Sequence, residues 1–169
     1  MRTKLVDSAT ARRSELHAIL VPVGAKINLP SDAPEAKTWK SDFSDKNGSS
    51  ITLRGAVSKR WVLVRLPKAK EVTAEDIRGA AGVARKACEG LEKSTLSIDL
   101  SCLKNDVAFA QAAVEGAMMA GHDMALMKSD KPKYLVKSIQ IAGAGSSMAT
   151  KKAVKHGTHG AIANLAARD

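Results

Sequence analysis

The residues able to do chemistry in this chain are few, and their spacing decides what each could do. Four histidines and two cysteines stand in 169 residues. His17 lies inside LHAILVPVG with no acid or nucleophile beside it, so a general-base role lacks its partners and a packed core histidine is expected. His156 and His159 are three apart, which would put two imidazoles on one helix face. No carboxylate or thiolate completes a metal set, and Gly157 and Gly160 loosen the helix there, so exposed histidines are expected. Cys88 and Cys102 are too few for a disulfide scaffold or a zinc site and read as reduced packing thiols, as in an intracellular compartment.

Three further features invite chemistry. Met118, Met119, Met124 and Met127 suggest soft-metal ligation, but methionine in a helical run is ordinarily a flexible core filler. GAGSS at 143–147 suggests a phosphate cradle. A dinucleotide fingerprint needs a third glycine where Met148 stands, and no Lys follows at nucleotide-loop spacing, so a strand-to-helix turn is the expectation. Asp99, near a strand end, is the one acid placed to line a cleft in an α/β sheet; without a partner it reads as a cap or a solvated residue. No catalytic, cofactor-binding or metal-binding residue is therefore assigned.

The elements that position these residues follow from periodicity. The organising stretch is residues 62–126, where apolar strands (RWVLVRLP, STLSIDLS) alternate with helical runs (TAEDIRGAAGVARKACEGL, NDVAFAQAAVEGAMMAGHDMALM), the pattern of a βαβα unit with a parallel sheet. Residues 16–24, apolar on both alternating sets, predict a strand near the sheet centre. Residues 25–50, broken by Pro30, Pro34, Asn47 and Gly48, predict a surface excursion. SITLRGAV and WVLVRL form a pair of strands joined near residues 55–59, a hairpin.

The first helix is predicted from Thr73 as cap, with Glu75 and Asp76 in its first turn and Ile77, Ala81, Ala84, Cys88 and Leu91 on one face. Gly79 and Gly82 each cost about 1 kcal/mol of helix propensity, which predicts a close approach to the sheet. Asn105 is the expected cap of the second helix, whose stripe is Val107, Ala110, Val114, Ala117, Met118 and Gly121. A last strand over 134–143 and a closing helix over 147–169 complete the chain. That helix reaches ANLAARD without a stop signal, predicting continuation in a longer protein.

Composition bounds the function class. At 44% hydrophobic and 26% charged residues the chain is a globular domain, and no apolar run approaches the roughly 20 residues of a membrane span. Its 27 Lys and Arg against 17 Asp and Glu leave a formal charge of +10, which favours polyanions if the cations cluster. The five aromatics, Trp39, Phe43, Trp61, Phe109 and Tyr134, are not interleaved with basic residues as a base-stacking platform requires. Residues 1–15 read as a basic N-terminal tail: either a frayed end or a short organellar presequence.

Two stretches, QAAVEGAMMAGHDMALMKSDK (111–131) and AIANLAARD (161–169), resemble the N-terminal domain of the leucyl aminopeptidase family, supported by DFSDKNGSSITLRG and IRGAAGVARKACEGLEKSTLSIDL. The similarity spans roughly residues 16–169 and departs from the family at 25–39, where this chain is shorter and more polar. The resemblance implies a macrodomain-like three-layer α/β fold, a mixed and mainly parallel sheet with helices on both faces. It implies that residues 16–146 form that domain and that 147–169 lead to a separate catalytic domain holding two divalent metals, zinc or manganese. The signature N-T-D-A-E-G-R of that second domain is not in this sequence, so no metal-ligand or catalytic role carries over. A structural role in a cytoplasmic, hexameric peptidase is the leading expectation, without a membrane partner. A nucleic-acid or ADP-ribose-type binding module is the alternative.

Overall fold

The computed structural model describes residues 1–27, 29, 42–55, 59–104, 106–121 and 136–167. Six strands make one sheet: β1 (Arg2–Leu5), β2 (Leu16–Val23), β3 (Ser50–Arg54), β4 (Arg60–Lys68), β5 (Thr95–Asp99) and β6 (Ser138–Ala142), in the order β1-β6-β5-β2-β4-β3. Every neighbouring pair is parallel except β3–β4, the hairpin. β2, the run apolar on both faces, lies between β5 and β4 as its composition predicts, with every residue from Leu16 to Pro22 buried. The helices are α1 (Ser8–Ala11), α2 (Ala74–Gly90), α3 (Val107–Met119) and α4 (Met148–Ala166).

The two sheet faces differ. One carries the main core: Leu16, Ala18 and Leu20 of β2, Val62, Val64 and Leu66 of β4, Ile98 and Ile141 pack against Ile77, Ala81 and Ala84 of α2, Val114 and Ala117 of α3, and Val154 of α4. The other carries Ile19, Val21, Trp61, Leu63, Leu53 and Phe43, with Ala25, Ile27 and Leu29 against them, and α1 lies beside β5 and β6. The result is a three-layer α/β arrangement, the mixed and mainly parallel sheet that the sequence predicts.

α2 begins as expected. Thr73 accepts from the Asp76 amide, and Asp76 returns a bond from the Thr73 amide at 2.9 Å, a capping box that also receives Asn47 Nδ2 at 2.8 Å. Arg65, buried on β4, holds the segment before β3 in place: it donates to the carbonyls of Phe43 and Ser44, sits 3.9 Å from the Phe43 ring centre and pairs with Asp45 at 3.2 Å.

Several sequence expectations change. Residues 1–15 are no frayed end: Arg2–Leu5 pairs with β6 and Asp7 caps α1, because the free edge of β6 offers a ladder that local composition cannot reveal. The described part of 25–50 is largely exposed, as a surface excursion should be, but it also covers the sheet, since Phe43 is buried and Ile27 and Leu29 pack on it. α3 is capped by Asp106, which accepts from the Ala108 amide at 2.8 Å, while Asn105 lies outside the described residues. Its burial also exceeds one stripe, taking in Ala112, Ala113 and Gly116, because α3 is packed between α2 and α4. Val107 is exposed. β6 spans Ser138–Ala142 within the expected 134–143, of which 134 and 135 lie outside the described residues.

The glycines of α2 also differ from expectation. A Cβ on Gly79 would meet nothing within 4 Å, and one on Gly82 would meet Ala120, the C-cap of α3, at 3.3 Å, so neither serves contact with the sheet. The close approaches lie between helices: a Cβ on Gly116 would overlap the Arg78 backbone of α2, and one on Gly157 of α4 would come within 2.8 Å of the Gln111 carbonyl of α3.

Candidate functional site

The strand register gathers polar side chains on the less apolar sheet face. Trp61 pairs with His17, His17 with Ser97, and Ser97 with Gln140, so one row of polar groups crosses β4, β2, β5 and β6. All four residues are buried. Asp99 stands two residues along β5 from Ser97, and its Oδ2 lies 3.3 Å from His17 Nε2. That contact is electrostatic, without the alignment of a hydrogen bond, so neither ring nitrogen of His17 has a hydrogen-bond partner among the described residues. Trp61 Nε1, Ser97 Oγ and Gln140 Oε1 share that condition. The Trp61 ring meets the His17 ring edge-on, centroids 4.7 Å apart.

Above this floor opens a cavity of about 230 Å³ lined by Arg12, His17, Ile19, Lys26, Trp61, Asp99 and neighbours that include Ser101 and Cys102. It lies on the sheet face over the first half of β2 and the start of β4, beside the carboxyl end of β5, which stops level with Ile19. His17 and Asp99, neither of which has a partner nearby in the sequence, are thus brought together. The only sequence signal for the pair is a polar residue at matching alternation in each of two otherwise buried strands.

Burial pushes the Asp99 carboxyl up, but the His17 ring and the Ser101 amide, which donates to Oδ1 at 2.8 Å, outweigh it and hold the group below the usual carboxylate range. A folded-state value below the unfolded one means that ionised Asp99 contributes stability above the unfolded value, about 3.9, and loses it as pH falls through the folded value. Asp7, Glu15 and Asp76 shift in the same direction. Urea midpoints followed downward from about pH 4 are expected to drop, less steeply in Asp99→Asn than in the parent chain. Equal slopes in the two proteins would refute a stabilising role for this carboxylate.

The remaining candidates do not converge on this cavity, apart from Cys102 at its wall. Burial raises the Cys102 thiol, with Asp99 adding to the effect, and burial pushes Cys88 up to about 12, so both are poor nucleophiles at neutral pH. His156 and His159 are exposed on α4. Met118 is buried and Met119 partly so, as core fillers, while Met124 and Met127 lie outside the described residues. In GAGSS, Gly143 and Gly145 take φ of +73° and +76°, and Ser147 caps α4. Among the described residues no group of three or more His, Cys, Asp or Glu is placed to hold a metal, and no helix is long and apolar enough to cross a membrane. The positive charge does cluster in part: Lys151, Lys152 and Lys155 are exposed on α4, a helix with no acidic residue, and Lys4 of β1 lies across a groove from it.

A mixed, mainly parallel sheet between two covering layers, with a polar cavity on one face, defines a three-layer α/β domain. The sequence profile of the cytosol aminopeptidase family, N-terminal domain, matches residues 38–131, more than half of the chain, and the chain belongs to that family. It is 31% identical over 114 residues to a probable cytosol aminopeptidase of Rippkaea orientalis (strain PCC 8801 / RF-1), covering 64% of this chain and 23% of that protein. It is 28% identical over 126 residues to the chloroplastic leucine aminopeptidase 2 of Arabidopsis thaliana, covering 71% and 22%. A tomato leucine aminopeptidase mutant shares the fold with a TM-score of 0.76 at 17% identity, over 96% of this chain and 36% of that one. The bottromycin maturation enzyme BotP in complex with Mn gives 0.70 at 21% identity, over 92% and 31%. The chain thus spans less than a quarter of the length of these curated relatives.

Proposed function

We propose that this chain is the non-catalytic N-terminal domain of a metal-dependent leucyl aminopeptidase that removes N-terminal residues from peptides, and that its own role is structural. The observation that carries the reading is coverage: nearly the whole chain superposes on about a third of a leucine aminopeptidase, and the family match is to the N-terminal domain by description. The two divalent metals, zinc or manganese, belong in this reading to the catalytic domain; a related fold, BotP, is known in complex with Mn. Residues 147–169 would lead towards that domain, and Ile162, a large apolar side chain left exposed on α4, suits a surface covered in a larger, hexameric, cytoplasmic assembly. Incubating the 169-residue chain with an aminoacyl amide and manganese is expected to give no turnover; metal-dependent release of the amino acid would overturn the proposal. The cationic α4 face favours a second reading, a polyanion-binding module without base specificity, which a salt-dependent gel shift with duplex DNA tests.

A further inference from the structure

We propose that the cavity over the first half of β2, beside the end of β5, is a binding site for a small oxyanion such as inorganic phosphate, held between Arg12 and Lys26 at the mouth and His17 on the floor. Three independent features converge there. The first is unmet hydrogen bonding: His17 is 2% exposed and lines the cavity, and while its Nε2 has the 3.3 Å contact with Asp99 Oδ2, its Nδ1 has no hydrogen-bond partner among the described residues. Buried polar atoms are nearly always paired, so a partner inside the cavity is called for. The second is charge. Arg12 and Lys26 are exposed at the rim and form no ion pair with a described residue, whereas the carboxylate in the lining, Asp99, already accepts from the Ser101 amide and faces His17. Two such cations against one engaged acid leave the space electropositive, as an anion requires.

The third feature is size. The cavity is a small recess on the sheet face beside the end of β5. Its volume of about 230 Å³ is less than the roughly 300–1,000 Å³ of pockets that enclose drug-sized molecules, which selects a small solute over a nucleotide. With Asp99 set against Nε2, Nδ1 of the neutral ring is an acceptor, which a hydroxyl of inorganic phosphate, or a water held by it, can satisfy while Arg12 and Lys26 meet the charged oxygens. This site is separate from the cationic α4 face and does not depend on the scaffold reading.

The test is phosphate titration of the intact chain, at an ionic strength held constant with chloride, read by imidazole proton–nitrogen correlation spectra, with the His17 signals assigned through His17→Gln. The expected result is a saturable shift of the His17 signals that chloride alone does not produce. In the double variant Arg12→Gln/Lys26→Gln, both positions being exposed, the same shift is expected about tenfold or more weaker, with an unchanged melting curve. No saturable change at His17, which would leave water as the sole occupant, overturns the proposal. So does a response confined to His156 and His159, or an affinity that the double variant leaves intact.

Discussion

Replacing Gly116 by Ala is expected to destabilise the domain by about 3 kcal/mol, the upper part of the usual range for forcing an extra methyl into a close-packed site. The cause is where α2 and α3 cross. A methyl on Gly116 would overlap the Arg78 carbonyl and stand 2.7 Å from the Arg78 Cα, and both are backbone atoms that no rotamer change can move aside. The helices must separate, which also strains the bond from Arg78 Nε to Glu115 Oε2 at 2.7 Å beside the crossing. For a domain of this size the melting temperature should fall by roughly 6–12 °C. Gly79→Ala supplies the contrast. It lies on α2 too, exposed and with no atom within 4 Å of the place its methyl would take, so it should stabilise by about 0.5–1 kcal/mol through helix propensity alone. Similar melting curves for the two variants would show that the interhelical contact carries no weight.

Gly143→Ala is expected to cost a comparable amount, about 2–5 kcal/mol, by a different route. Gly143 follows β6 with φ of +73°, a conformation costing an L residue about 1–2 kcal/mol. The added methyl would also overlap the Ser101 amide nitrogen and come within 2.8 Å of Asp99 Oδ1, adding an overpacking cost of about 1–3 kcal/mol. Those are the donor and acceptor of one of the bonds that favour ionised Asp99, beside the His17 contact, so this variant should also lose part of the acid dependence attributed to that carboxylate. Gly48→Ala isolates the conformational part: its φ is +78° with open space around it, so it should cost only about 1–2 kcal/mol. Urea denaturation of both variants measures the difference, and equal losses would mean that the packing against Ser101 and Asp99 is slack.

The chemistry of the cavity could not be read along the chain. His17 in an apolar strand and Asp99 at the end of another each have an ordinary explanation, and only the pairing of β2 with β5 sets them 3.3 Å apart. Nothing local distinguishes a polar residue that faces solvent from one that faces a covering layer. The layer here includes Arg12 and Lys26, contributed by segments whose composition suggests a tail and a surface loop. The glycines follow the same rule: Gly79 and Gly82 interrupt a helix and attract attention, while Gly116, whose absent side chain matters most, sits unremarked in an alanine-rich run.

Short-range periodicity and capping account for much of the architecture without any knowledge of distant contacts: β2 buried on both faces, the β3–β4 hairpin, α2 started by Thr73, and the alternation that requires a parallel sheet. The family resemblance is equally legible along the chain. Which edges pair and which faces meet is another matter. β1 joining β6, α3 buried between two helices, and the polar row from Trp61 to Gln140 all depend on contacts between distant segments. The physical reason is that alternation gives a strand its two faces but not its neighbour: register and partner are set by the summed burial of the whole sheet, a quantity that no single segment contains.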